Sequence, residues 1–199
     1  MTSLDEQRAT MRSLLRQRRA ALSDDDQAAA AMAVMVRLAK LPVLQHARAI
    51  AGYRGIRGEV EIDGALILLM ERGILVTVPR VDGTSMTFHR WDPDAEVIRG
   101  AFGIAEPAPG DEVAFGDHDV VLVPLVAFDG TGQRLGQGGG FYDRAIAGAH
   151  RRPTLIGVGH AFQRVETVPA EAWDQRLDAV VTEEAVHEFT PGVLGRDAS

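Results

Sequence analysis

The chain has 199 residues and no cysteine, which removes disulfides, thiolate catalysis and cysteine-ligated zinc from consideration. No stretch is long and apolar enough to cross a bilayer. The amino terminus is polar and charged and lacks the apolar segment of a signal peptide. A cytoplasmic protein with no membrane partner is expected. Positive charge is in deficit: 21 Lys and Arg stand against 28 Asp and Glu, a net charge of −7. A broad nucleic-acid-binding surface is not expected of such a chain. An acidic protein that binds an anion must gather its cations locally, so the positions of the arginines are informative. Internal repeats and linkers are also lacking. With 46% hydrophobic residues, the length suits one compact domain, residues 1–199, with a large core and a loosely held tail after about residue 188.

What is present in abundance is glycine at one place. Arg134-Leu135-Gly136-Gln137-Gly138-Gly139-Gly140-Phe141-Tyr142-Asp143 follows the apolar run Val120 to Phe128 and the turn pair Asp129-Gly130. Residues with helical character, Tyr142 to Ala149, come next. The local reading is strand, turn, glycine loop, helix. Backbone without Cβ atoms approaches a ligand closely, and a helix start offers unpaired N–H groups to an anion. The pattern is a phosphate cradle, although neither the dinucleotide fingerprint nor the Walker A motif is matched. A solvated turn is the plain alternative. Asp143 next to such a cradle has two readings: a magnesium ligand between carboxylate and phosphate, or a first-turn helix acid.

Along the rest of the chain, Ser3 to Leu22 reads as a helix on which Arg8, Arg12, Arg16 and Arg19 recur at steps of four, four and three, one basic stripe. Ser23 caps a second helix that ends before Pro42. Ala47 to Arg54 is a strand candidate. It runs into the loop containing Glu59 and Glu61, at a strand end where open α/β sheets keep ligands. Asp63 to Arg72 reads as a helix with Gly73 beyond its end. Ile74 to Val81 and Met86 to Trp91 read as a hairpin around an Asp-Gly turn. The span Asp92 to Asp119 is a long loop pinned by Phe102, Ile104 and Phe115, a candidate wall for a site. Val120 to Phe128 has the continuous apolar character of a central parallel strand. Thr154 to Gly159 and Ala179 to Thr182 complete the strands. His160 is expected to be structural and Trp173 packed. The alternation predicts an α/β fold: a mainly parallel central sheet flanked by helices in three layers.

Several of these segments together carry a family resemblance. Pro124 to Asp129 and Gly132 to Arg144 resemble the signature of 5-formyltetrahydrofolate cyclo-ligases. The Arg-x-x-x-Arg helix, the Gly58-Glu59-Val60-Glu61 segment, Gly103-Ile104-Ala105-Glu106-Pro107 and Leu177-Asp178-Ala179-Val180-Val181 resemble other parts of that family. The resemblance implies ATP-dependent closure of 5-formyltetrahydrofolate to 5,10-methenyltetrahydrofolate, with release of ADP and phosphate. It implies ATP as co-substrate, magnesium as cofactor and a reduced folate as substrate, in a monomer or weak dimer. By the same resemblance, Arg8, Arg12 and the run Arg134, Leu135, Gly136, Gln137, Gly138, Gly139, Gly140, Phe141 and Tyr142 are ATP-binding. Arg54 and Glu59 are substrate-binding, and Asp143 and Asp178 bind magnesium. Many members carry basic residues where this chain has Gln137 and Gly139. Arg134, Arg144 and the helical stripe are therefore expected to share the transition-state charge. No acid–base or nucleophile motif is present, as suits phosphoryl transfer by positioning and charge. Two other readings compete: a sugar-phosphate isomerase or CoA-transferase-like enzyme, and a non-catalytic module that binds a nucleotide or folate.

Overall fold

The computed structural model describes residues 3–94, 97–99, 105–107, 111–171 and 173–195. Two capped helices open the chain. Helix α1, Leu4–Ala20, starts at Ser3, whose hydroxyl accepts from the Glu6 N–H while the Glu6 carboxylate accepts from the Ser3 N–H, a reciprocal capping box. Helix α2, Asp24–Lys40, starts at Ser23 with three aspartates in its first turn, where negative charge suits the helix dipole. Short helix α3, Pro42–Gln45, strand β1, Ala49–Ala51, and helix α4, Asp63–Glu71, follow. Strands β2, Leu75–Asp82, and β3, Ser85–Arg90, form the expected antiparallel hairpin. The chain continues through β4, Val97–Arg99, β5, Ala105–Pro107, β6, Glu112–Val113, and β7, Val120–Pro124. It ends with β8, Ala127–Phe128, β9, Arg134–Leu135, α5, Phe141–Ala147, β10, Thr154–Val158, β11, Ala179–Val181, and β12, Val186–Glu188.

One eight-stranded sheet has the order β12-β11-β10-β7-β1-β2-β3-β6. The five strands from β11 to β2 are mutually parallel, and β12, β3 and β6 add on antiparallel at the two sides. The α/β architecture expected from the alternation is therefore present. On one face Val34 and Leu38 of α2 and Leu66 and Leu69 of α4 pack over Ile50, Val76, Leu122 and Val158. On the other, Val121, Val123, Leu155 and Val180 meet Phe88 and Ile146 of α5. Successive residues of β7 thus enter different apolar clusters, which is why that strand shows no polar alternation.

Three local expectations are corrected. The apolar run does not stay in the sheet to Phe128, because β7 ends at Pro124. Proline has no N–H to continue a ladder, and Gln163 Nε2 takes the next two carbonyls, those of Leu125 and Val126. The chain then leaves the sheet as the β8–β9 ribbon. Helix α1 packs on this ribbon through Leu15, against Val126, Ala127 and Leu135. The span after Asp92 is not purely loop, since β4 pairs with β5 and β6 joins the sheet edge. Phe115 packs on Phe88, whereas Phe102 and Ile104 lie outside the described residues. Beyond Glu188 the chain is tied down as far as Leu194: Phe189 and Thr190 donate to the Asp178 carbonyl, and Leu194 is buried.

The strand order places the site. From β1 the chain moves to β2 on one side and later returns to β7 on the other. The crevice beyond the carboxyl ends of β1 and β7 is thus a topological switch point, the usual ligand position in such sheets.

Candidate active site

A cavity of about 600 Å³ opens at that crevice. Tyr53 and Arg54 follow β1 into its wall, Pro124 ends β7 there, and the hairpin adds Pro79, Val81 and Met86. The glycine loop from Arg134 to Arg144 forms the opposite wall. Arg8, Arg12 and Arg16 close the cavity from α1. Seven arginines line it against three carboxylates, Glu59, Asp143 and Asp174. In a chain of net charge −7 this is a strongly localised positive field, suited to an anion.

The basic stripe is not a solvated face. Arg12 Nε donates to the Gly136 carbonyl at 2.9 Å, and Arg16 Nη2 donates to the Gln137 carbonyl at 2.8 Å. Burial, and then the adjacent Arg16 and Arg8 charges, hold the Arg12 guanidinium below its usual pKa. An anion among these arginines would relieve that repulsion. Arg8 is turned away from the loop: it donates to the Pro169 carbonyl at 2.8 Å and pairs with Asp174.

With its carbonyls gripped by α1, the loop turns its other face to the cavity. Among the described residues, the main-chain amides of Gly136 to Tyr142 donate to no protein acceptor. Two glycines make that shape possible, Gly138 at φ 105° and Gly140 at φ 63°, angles that cost other residues strain. Helix α5 behind the loop has seven residues, so the free loop amides outweigh its dipole as an anion contact. The Tyr142 hydroxyl is enclosed with no partner among the described residues, and burial pushes its pKa up.

Glu59 sits across from the loop and is 7% exposed. It closes a turn in which its N–H donates to the Ile56 carbonyl at 3.0 Å. Its Oε2 accepts from the Ile56 N–H at 3.2 Å, and its Oε1 accepts from Gln137 Nε2 at 2.6 Å. Arg19 Nη1 lies 3.6 Å away, buried and without an acceptor in bonding geometry. Burial pushes the Glu59 carboxyl up, while Arg19, Gln137 and the Ile56 N–H pull it back. Gln137 Oε1 also accepts from Arg16, at 2.7 Å. First helix, glycine loop and Glu59 therefore form one connected network. Gln137, a neutral side chain, is the link.

The two aspartates part company. Asp143 lines the cavity. Its Oδ1 accepts from Arg134 Nη2 at 2.8 Å and from the Gln175 N–H at 3.3 Å, while no contact is recorded for Oδ2 among the described residues. Asp178 is 4% exposed and does not line the cavity. Its Oδ2 accepts from Arg152 at 2.7 Å and from the Leu155 N–H at 2.8 Å, and its Oδ1 accepts from the Thr190 hydroxyl at 2.8 Å. The structure does not bring Asp178 to Asp143, because its lone pairs already pin β10, β11 and the segment after β12. Among the described residues no cluster of three or more Asp, Glu or His is arranged for a metal. A magnesium ion nevertheless needs only one or two protein carboxylates when phosphates and waters complete its shell. Asp143 beside free loop amides meets that requirement.

Arg54 lines the cavity but is engaged with Asp63 at 3.2 Å and lies over Trp91. Arg134 is 8% exposed and held by Asp143 and the Gln175 carbonyl. It orients the carboxylate more than it offers a free charge. Arg144 donates to the Thr84 carbonyl at 3.2 Å and stacks on Phe141. His160 is structural, as expected: Nε2 meets the Gly58 carbonyl at 3.0 Å, and the ring stacks on Phe162. Trp173 was expected to be packed, yet it is 69% exposed at the cavity wall, because the segment carrying it contacts α1 through Pro169 and Asp174 instead. No described residue of the 92–119 span lines the cavity. Sequence reasoning missed Tyr53, Arg57 and the Gln175 main chain. Only Arg57 had a local signal, the glycine that follows it.

Comparison with known proteins gives a consistent result. The family model described as the 5-formyltetrahydrofolate cyclo-ligase family matches residues 4–183. The 5-formyltetrahydrofolate cyclo-ligase of Escherichia coli K12 is 34% identical over 182 residues, covering 88% of this chain and all of its own. The solution structure of the Aquifex aeolicus 5,10-methenyltetrahydrofolate synthetase superposes with a TM-score of 0.82 at 32% identity, covering 96% of each chain. The Mycoplasma pneumoniae 5,10-methenyltetrahydrofolate synthetase gives 0.73 at 25% identity, covering 88% of this chain and 98% of its own.

Proposed function

The chain belongs to the 5-formyltetrahydrofolate cyclo-ligase family, and from that premise we propose that it cyclises 5-formyltetrahydrofolate to 5,10-methenyltetrahydrofolate at the expense of ATP. One observation carries the proposal: a glycine loop whose amides have no acceptor among the described residues, with Arg12 bonded to it, lines the same cavity as the buried Glu59. One wall suits a triphosphate. The other offers a fixed carboxylate acceptor to the N–H groups of a pterin.

In the proposed sequence the 5-formyl oxygen attacks the γ-phosphorus and the bond to the β–γ bridging oxygen breaks, releasing ADP. N10 of the same folate then adds to the activated formyl carbon. Phosphate leaves with the former formyl oxygen, and the N10 proton passes to solvent. The chain supplies no nucleophile. Its glycine amides and Arg12 hold the phosphates in line. Glu59 fixes the pterin edge against Gln137 and Arg19. Arg134 holds Asp143 with Oδ2 toward the phosphates. A magnesium ion bound there would neutralise β- and γ-phosphate charge.

The test is the appearance of the methenyl chromophore when 5-formyltetrahydrofolate, ATP and magnesium are mixed with the protein. Omitting ATP abolishes it. Folate and ATP that each raise the melting temperature, with no chromophore formed, would instead make this a binding module.

A further inference from the structure

Arg57 stands apart from the other arginines of the cavity. It is the only non-glycine residue with positive φ among the described residues, at 52°. With Gly58 at 76° it forms the two central positions of the turn closed by Glu59 N–H and the Ile56 carbonyl. Glycine is the ordinary occupant of that conformation, and a side chain held there costs strain, a cost that gathers at functional sites. The turn is locked from behind: Arg19 Nε donates to the Arg57 carbonyl at 2.9 Å, and a Cβ on Gly58 would come within 3.3 Å of the Arg19 carbonyl oxygen. The Arg57 guanidinium is exposed, lines the cavity and has no acceptor among the described residues. The other cavity arginines each have a protein partner, including Arg54 on Asp63 and Arg144 on the Thr84 carbonyl.

We infer that Arg57 receives a carboxylate of the substrate's glutamyl tail and so sets preference among folates of different tail. The inference rests on the function proposed above. A pterin held by buried Glu59 must send its benzoylglutamate toward solvent. The free cation nearest to Glu59 along the chain is the one two residues before it, on the rim of the same cavity. Its turn is held by the Arg19 hydrogen bond and by the Ile56–Glu59 closure, so the backbone that carries the charge has a defined position at the cavity. A guanidinium also matches a carboxylate with two parallel donors.

The test compares the wild type with Arg57→Gly, which accepts the left-handed backbone and is expected to keep the melting temperature or raise it. Steady-state KM and Kd are measured for 5-formyltetrahydrofolate and for 5-formyltetrahydropteroate, which lacks the glutamyl residue. The variant should raise KM for the folate about fivefold at low salt, as an exposed ion pair allows. The difference should shrink as ionic strength rises. For the pteroate the two proteins should coincide, and KM for ATP should not move. Arg57→Lys should recover part of the loss. Equal folate KM in both proteins, equal losses on folate and pteroate, or a rise confined to ATP would each overturn the assignment while leaving the cyclisation intact. A wild type that neither binds nor cyclises the folate would overturn both.

Discussion

Asp143 and Asp178 are the same residue type in the same kind of place, beside a strand or helix end, yet their surroundings differ in kind. At Asp143 one oxygen is engaged by Arg134 and Gln175; among the described residues the other has no partner and the neighbouring loop amides have no acceptor. At Asp178 both oxygens are filled by Arg152, Leu155 N–H and Thr190, and the residue is buried. Asp143 and the glycine loop keep hydrogen-bonding capacity in reserve, whereas Asp178 has used its own. A carboxylate therefore reads as a ligand or as a rivet only when its partners are counted.

That contrast can be broken by substitution. The largest effect is expected for Asp143→Asn, which keeps an Oδ1 acceptor but removes the charge. Turnover should fall by about 100- to 1,000-fold, as when a transition-state contact is lost. The magnesium concentration for half-maximal rate should rise, and the melting temperature should stay close to that of the wild type. Asp178→Ala should do the reverse. Removing the acceptor of the Leu155 N–H, of Arg152 Nη1 and of the Thr190 hydroxyl is expected to cost about 2–3 kcal/mol of stability in chemical denaturation, with the magnesium dependence of the active fraction unchanged. A shifted magnesium dependence in that variant would make Asp178 a ligand after all and end the contrast.

Gly138→Ala tests the loop region itself. At φ 105° alanine must distort the bend, and KM for ATP should rise about tenfold while folate Kd is nearly unchanged. The smallest effect concerns Glu59. Its folded pKa is raised, chiefly by burial, so the native state binds the proton more readily than the unfolded chain. Stability should therefore decline as pH rises from the ordinary glutamate range through the raised value. Glu59→Gln should flatten that decline in denaturation measured across pH. An equal slope in both proteins would show that Arg19 and Gln137 compensate the buried charge fully.

Much of this could be read along the chain. The Ser23 cap, the end of α2 before Pro42 and the Gly73 stop follow from contacts within a few residues. So does the hairpin at Gly83. The glycine bend and the arginine stripe were recognisable separately, and the family resemblance joined them. The β7 break at Pro124 was available as a proline but was outweighed by the apolar run. Trp173 was misjudged because apolar character says nothing about which surface passes overhead.

The sequence by itself determined the main helices, the alternation that makes a mainly parallel sheet, the glycine bend and the family resemblance, since each is carried by residues close together along the chain. Only the tertiary structure decided that Arg12 grips the Gly136 carbonyl across 124 positions, that Gln137 ties Arg16 to Glu59, and that Asp178 turns inward. Those outcomes depend on which backbone groups remain unpaired after the sheet has formed. A chain exposes that remainder only once distant strands have come together.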